Sequence, residues 1–172
     1  SVGQHSFINS KFSGSLNLPM CTYISEDAFA NSNFSGSLSL PMCTFIGHHA
    51  FMNSNFSGSL NLPSCTFIGA DSFSNSNFIG SLNLPACTQL WYNAFQNSNF
   101  SGELYIPNCV AIYPNAFLNS NFTQITIGAN AHLGGGCIGA HSNEFRADYA
   151  ANNKRAGTYV WDSVSGHWIY QT

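Results

Sequence analysis

Phenylalanine recurs at positions 12, 34, 56, 78, 100 and 122, a spacing of 22 residues throughout. Each opens a variant of one sentence. Residues 12–33 read FSGSLNLPMCTYISEDAFANSN, residues 34–55 read FSGSLSLPMCTFIGHHAFMNSN, and further units occupy 56–77, 78–99 and 100–121. A fixed period of this length marks a stacked repeat architecture. Residues 1–11 match only the second half of a unit, with Val2 at the Ile24 position and Phe7 at the Phe29 position. Residues 122–128, FTQITIG, match the first half one residue short, with Ile125 and Ile127 in the leucine places.

Within a unit, Ser-Leu-Asn-Leu-Pro alternates polar and apolar residues, as a strand with one buried face does. Its proline (19, 41, 63, 85, 107) has no N–H, stops the ladder and turns the chain. A second extended piece follows, in which Thr22 and Ile24 flank Tyr23 and point inward. Ala28-Phe29 reads as a single helical turn whose Phe plugs the core. Asn31-Ser32-Asn33 then reverses the chain, because Asn tolerates left-handed backbone and bonds nearby main-chain groups. No unit can bury its Leu, Ile and Phe alone, so units must stack, at about 4.8 Å per rung, into a rod roughly 25 Å long. The expected architecture is a β-rich repeat solenoid of parallel stacked strands and short helical turns over residues 1–128.

This pattern resembles the BspA-like, or treponemal, class of bacterial leucine-rich repeats. The residues that carry the likeness are Leu16-x-Leu18-Pro19, Ile24 and Ala28-Phe29, in fixed order every 22 residues. Two features differ: cysteine follows the proline here rather than the Ala-Phe pair, and the Leu-Pro-x-x-Val segment is one residue shorter. The resemblance implies secreted, periplasmic or cell-surface proteins that attach to host proteins or to other cells.

Residues 129–172 change character and read as a C-terminal cap over the last rung. Asn143 to Asn152 suits a short helix, with Phe145 and Tyr149 on one face at i,i+4 spacing. Residues 158–171 suit a hairpin turning at Ser163–Gly166. That register sets Trp161 opposite Trp168, Tyr159 opposite Tyr170 and Val160 opposite Ile169, with four aromatics on one face.

Composition narrows the function. Only 6% of residues are charged, the net charge is −3 and just four are Lys or Arg, so a nucleic-acid footprint is missing. Nor does any apolar run approach the ~18 residues of a membrane span. Starting at Ser1 rather than Met, the chain reads as a processed or trimmed product. No Ser-His-Asp set, catalytic carboxylate pair or Gly-rich phosphate loop has a recognisable motif, and no cofactor is implied. Stacked-coil carbohydrate enzymes need clustered acids, and units 34–55 and 78–99 contain none. Ice binding is suggested by the column Thr22, Thr44, Thr66, Thr88, but inward-pointing threonines would not serve it.

Cysteines at 21, 43, 65, 87 and 109 share a column, and Cys137 lies off it. No C-x-x-C pair exists for a zinc ribbon. Parallel rungs also hold Cβ atoms about 4.8 Å apart, beyond the usual ~3.5–4.5 Å of bonded cysteines, so the thiols are expected free and packed as small hydrophobes. His5, Asp27, His49 and Asp71 form another column of alternating imidazole and acid. Such a set is able to build a metal site, but the simpler reading is a surface hydrogen-bonded column, so no metal ligands are assigned. His132, His141 and His167 read as structural. The N-x-S/T sequences at Asn33, Asn55, Asn99 and Asn121 follow from the repeat register itself.

The candidate site is apolar. Outward positions on the long strand are small and polar until Glu103 and Tyr105. On the second extended piece they are Tyr23, Phe45 and Phe67, with Met20 and Met42 nearby and Trp91, Tyr92 and Tyr113 farther along. Exposed apolar patches mark interaction sites, and aromatics supply their anchors. The ligand-binding set is therefore Tyr23, Phe45, Phe67, Met20, Met42, Trp91, Tyr92 and Tyr105, in a non-enzymatic module that holds a protein partner. Homo-oligomerisation is expected at the N-terminal rung, whose first strand has no neighbour before it.

Overall fold

The computed structural model describes residues 1–172 as a solenoid closed at one end by a helix and a hairpin. The Leu-x-Leu strands pair in parallel across rungs, with Leu38 opposite Leu60 and Leu82 opposite Leu104. At each proline the chain turns tightly, and the N–H of Cys43 donates to Leu40 O at 3.1 Å to close the turn. The second extended piece then forms a two-residue strand in every rung. These strands, from Tyr23–Ile24 to His132–Leu133, build one continuous six-stranded parallel sheet. The expected partial rungs join in. Val2 bridges Ile24, while Ile125 and Ile127 pair with Leu104 and Ile106. The second sheet continues past residue 128, since His132–Leu133 pairs with Ala111–Ile112.

Each rung's third side is a bend with two left-handed residues four apart, such as Asp27 and Asn31 (φ 53° and 56°) or Asn93 and Asn97 (φ 55° and 63°). Asn, Asp and His are the residue types that enter this region most readily. The bend stacks by its own hydrogen bonds: Phe29 N donates to Ala50 O, and Asn31 N to Met52 O, both at 2.8 Å.

The core consists of columns. Phe29, Phe51, Phe73, Phe95 and Phe117 stack face to face at 4.9–5.3 Å, and each meets the Phe34 column edge to face, as Phe51 meets Phe56 at 5.9 Å and 73°. Both contacts suit the ring quadrupole better than an eclipsed sandwich. Cys43, Cys65 and Cys87 are fully buried, and each column thiol donates to the carbonyl two residues on. Burial pushes up the thiols of Cys43, Cys65, Cys87 and Cys109, to about 11 at Cys43 and about 12 at Cys109. They are therefore neutral hydrophobes, not nucleophiles.

The cap follows the expected pattern. Its helix spans Ser142–Ala151, one residue earlier than the spacing suggests, and buries Phe145 and Tyr149. The hairpin strands Gly157–Asp162 and His167–Tyr170 pair Trp161 with Trp168 and Tyr159 with Tyr170. Gly157–Asp162 also pairs antiparallel with Gln124–Ile127, so the hairpin extends the Leu-x-Leu sheet beyond the last rung. Tyr149 locks the joint, its hydroxyl donating to Gly128 O (2.6 Å) and accepting from Ala131 N (3.0 Å).

Two features differ from the expectation. Thr22, Thr44 and Thr66 face solvent rather than the core. The strand begins only at residue 23, and Cys21 takes the inward place after the proline turn. Thr44 then spends both its N–H (2.9 Å) and its hydroxyl (3.2 Å) on Thr22 O, and the pattern repeats up the column. In addition, the Leu-x-Leu face breaks after the third rung, because Leu60–Asn61 does not pair with Ile79–Asn83. A second sheet starts there as the first does, with left-handed Gly80 (φ 75°) matching Gly14 (φ 78°). Gly36, Gly58 and Gly102 instead lie so close to Ser15, Ser37 and Ser81 below them that a Cβ would collide at 2.3–2.4 Å.

Candidate functional site, an aromatic ridge

The six-stranded sheet decides where the aromatic side chains go. Its strands are parallel and in register, Tyr23 opposite Phe45 and Phe45 opposite Phe67. Ile24, Ile46 and Ile68 turn inward and are fully buried, so their neighbours must turn outward. Tyr23 and Phe45 stack at 4.5 Å and 1°, and Phe45 and Phe67 at 4.6 Å and 3°.

At the fourth rung Gln89 replaces the aromatic residue, and the ridge is continued from two positions farther along the chain. Trp91 packs at 5.6 Å from Phe67 and at 5.0 Å from Tyr113, while its indole N–H donates to Gln89 Oε1 at 3.2 Å. Tyr92 adds to the far end, 5.1 Å from Tyr113, and His48 packs edge-on against Trp91 at 5.4 Å. Gly47 and Gly69 hold the Trp91 position in the two rungs before it. The result is one unbroken aromatic path from Tyr23 to Tyr113.

The geometry limits what such a ridge can hold. Stacking along the solenoid axis occupies the ring faces and leaves ring edges toward solvent, so Phe45 and Phe67 are partly buried while Tyr23, at the end of the stack, keeps 42% of its surface. A sugar that stacks on an open ring face finds little room here. A protein partner that buries edges and methyl groups finds a continuous apolar line. The polar columns offer less, because they are bonded to themselves. Ser37 N and Ser59 N donate to Ser15 Oγ and Ser37 Oγ, and Asn61 donates to Ser39 Oγ. A further column escaped the sequence reading as a ladder: the amides of Asn53, Asn75, Asn97 and Asn119 each donate to the Asn one rung below, at 2.6–2.9 Å. Its signal was the same residue type at 22-residue spacing.

Of the eight residues expected to bind, Tyr23, Phe45, Phe67, Trp91 and Tyr92 come together. Met20 and Met42 lie in the proline turns that precede the strands and are open to solvent. Tyr105 lies apart. It belongs to Asn99–Ile106 on the Leu-x-Leu face, beside Glu103 at a shallow depression of about 250 Å³. His48 and Tyr113 complete the ridge, and His48 enters it by packing edge-on against both Phe67 and Trp91.

Stacked units, a buried columnar core and an outward apolar ridge define a leucine-rich-repeat solenoid, a module for protein–protein interaction. The BspA type leucine rich repeat region matches residues 22–138 in six copies, and the chain belongs to that family. No curated protein and no solved structure matches the sequence.

Proposed function

We propose that the protein is a non-enzymatic adhesion module, secreted, periplasmic or displayed at a bacterial surface, that grips a protein of a host or of another cell. The observation that carries this reading is the unbroken aromatic ridge from Tyr23 to Tyr113, set among polar columns that have already spent their hydrogen bonds. Desolvating a Phe or Tyr edge contributes a large part of the ~1.5–3 kcal/mol available from burying the whole side chain. A screened Ser or Asn contact contributes less. Residues of the family's repeat supply the scaffold, and the ridge supplies the anchors.

The test is capture of purified extracellular-matrix proteins by the wild-type chain and by the double variant Phe45→Ser/Phe67→Ser. Capture should be abolished in the variant while its circular dichroism stays native. Equal capture by both would move the site to the polar strand face around Tyr105. Incubation with polysaccharides should release no product, and a thermal-hysteresis assay should be negative. The outward threonines raise the second question, but their hydroxyl protons are held within the ladder and the adjoining column is bulky and aromatic.

A further inference from the structure

Two imidazoles and two carboxylates meet on the bend at the start of the solenoid. His5, Asp27 and His49 occupy one column, and all three have left-handed backbone, with φ of 56°, 53° and 55°. That conformation admits Asn as readily as Asp or His, and Asn93 and Asn115 fill the same column farther along. Backbone geometry therefore does not demand ionisable side chains at the first three positions. Asp27 sits between the two histidines. His5 Nε2 lies 3.4 Å from its Oδ2, and His49 Nδ1 lies 3.8 Å from its Oδ1. Glu26, the residue before it, brings Oε1 to 3.9 Å from the same His49 nitrogen. One donor atom from each of Glu26, Asp27 and His49 fits within a span of 4.8 Å. Every ion pair in the molecule involves a histidine, so no Lys or Arg offsets the two carboxylates.

We propose that Glu26, Asp27 and His49 bind a divalent transition-metal ion of the zinc class, with His5 positioning Asp27. Zinc–nitrogen and zinc–oxygen bonds of about 2.0–2.2 Å set tetrahedral donors roughly 3.4 Å apart. The observed separations reach that value by small rotations of exposed side chains. The imidazole selects zinc-like ions over calcium and magnesium, which take oxygen donors. Two carboxylates neutralise the ion's charge. With Oδ2 of Asp27 held by His5, Oδ1 stays turned toward His49, which is the usual service of an outer-shell partner. Because Asp27 and His49 belong to successive rungs, the ion ties those two together, and His5 joins the partial rung before them through its contact with Asp27.

The experiment is calorimetric titration of the full chain, without a polyhistidine tag, with zinc chloride, calcium chloride and magnesium chloride. One zinc should bind per chain, and at a hundredfold excess over Kd the Tm should rise by about 5–10 °C. His49→Asn and Asp27→Asn keep the left-handed bend and should abolish both effects. His5→Asn should weaken zinc by about tenfold while leaving the Tm of the metal-free protein unchanged. His167→Asn, which removes the separate His167–Asp148 pair of the cap (3.0 Å), should bind as the wild type does. The proposal is overturned by any of three results: no saturable binding at millimolar zinc, undiminished binding in His49→Asn, or calcium binding as tightly as zinc.

Discussion

Among the five complete units, Ser72 is the one residue of the small inner column that is not alanine; Ala28, Ala50, Ala94 and Ala116 fill the same place in the others. All are fully buried, yet Ser72 Oγ has no hydrogen-bond partner. An unsatisfied buried hydroxyl costs about 1–3 kcal/mol, while the dispersion lost on deleting one oxygen amounts to a few contacts of about 0.1–0.2 kcal/mol each. Ser72→Ala should therefore stabilise the protein by about 1 kcal/mol. For a chain of this size that raises Tm by about 2–4 °C. Urea unfolding should show a higher midpoint at unchanged slope, since no surface exposed on unfolding is altered. Ser54→Ala is the control of opposite sign, because Ser54 Oγ donates to Phe29 O at 3.3 Å and its loss should lower the midpoint. A Ser72→Ala midpoint at or below wild type would refute the argument, for the hydroxyl would then have to be satisfied by a buried water.

Asn75 has φ 63° and stands in the amide ladder, so Asn75→Ala should cost about 2 kcal/mol, mostly from backbone strain. Asn75→Gly should cost half of that or less, and equal losses would discard the backbone explanation. Folded thiols retain their protons to about 11 at Cys43 and about 12 at Cys109 and Cys137, whereas unfolded thiols lose them near 9. Stability is therefore fully present below about pH 9 and should fall as pH rises from there, a trend that a pH-independent urea midpoint would contradict. At the N-terminal rung, Phe7 and Phe12 remain 40% and 51% exposed over an apolar cleft of about 620 Å³, so this chain should self-associate there. Light scattering should give a mass above 18.6 kDa that Leu16→Lys lowers, and a monomer at high concentration excludes the contact.

A strict 22-residue period determines which residues share a column, because stacked rungs can gain hydrogen bonds and bury Leu, Ile and Phe only in register. The Phe29 and Phe34 stacks, the partial rung at Val2 and Phe7, and the buried thiols were legible for that reason. The cap hairpin was legible from strand alternation, which leaves few ways to pair Trp161 with Trp168. Periodicity is silent about the direction of a residue in a bend, where no two-residue alternation applies. Thr22 was thus expected inward, and only the tertiary structure turns it out beside Tyr23. Contacts between different columns also escape a one-dimensional pattern. Trp91 closing the ridge toward Phe67, the sheet break before Ile79 and Glu26 reaching His49 each depend on local dihedrals and neighbouring bulk, which are settled only when the rungs are packed together.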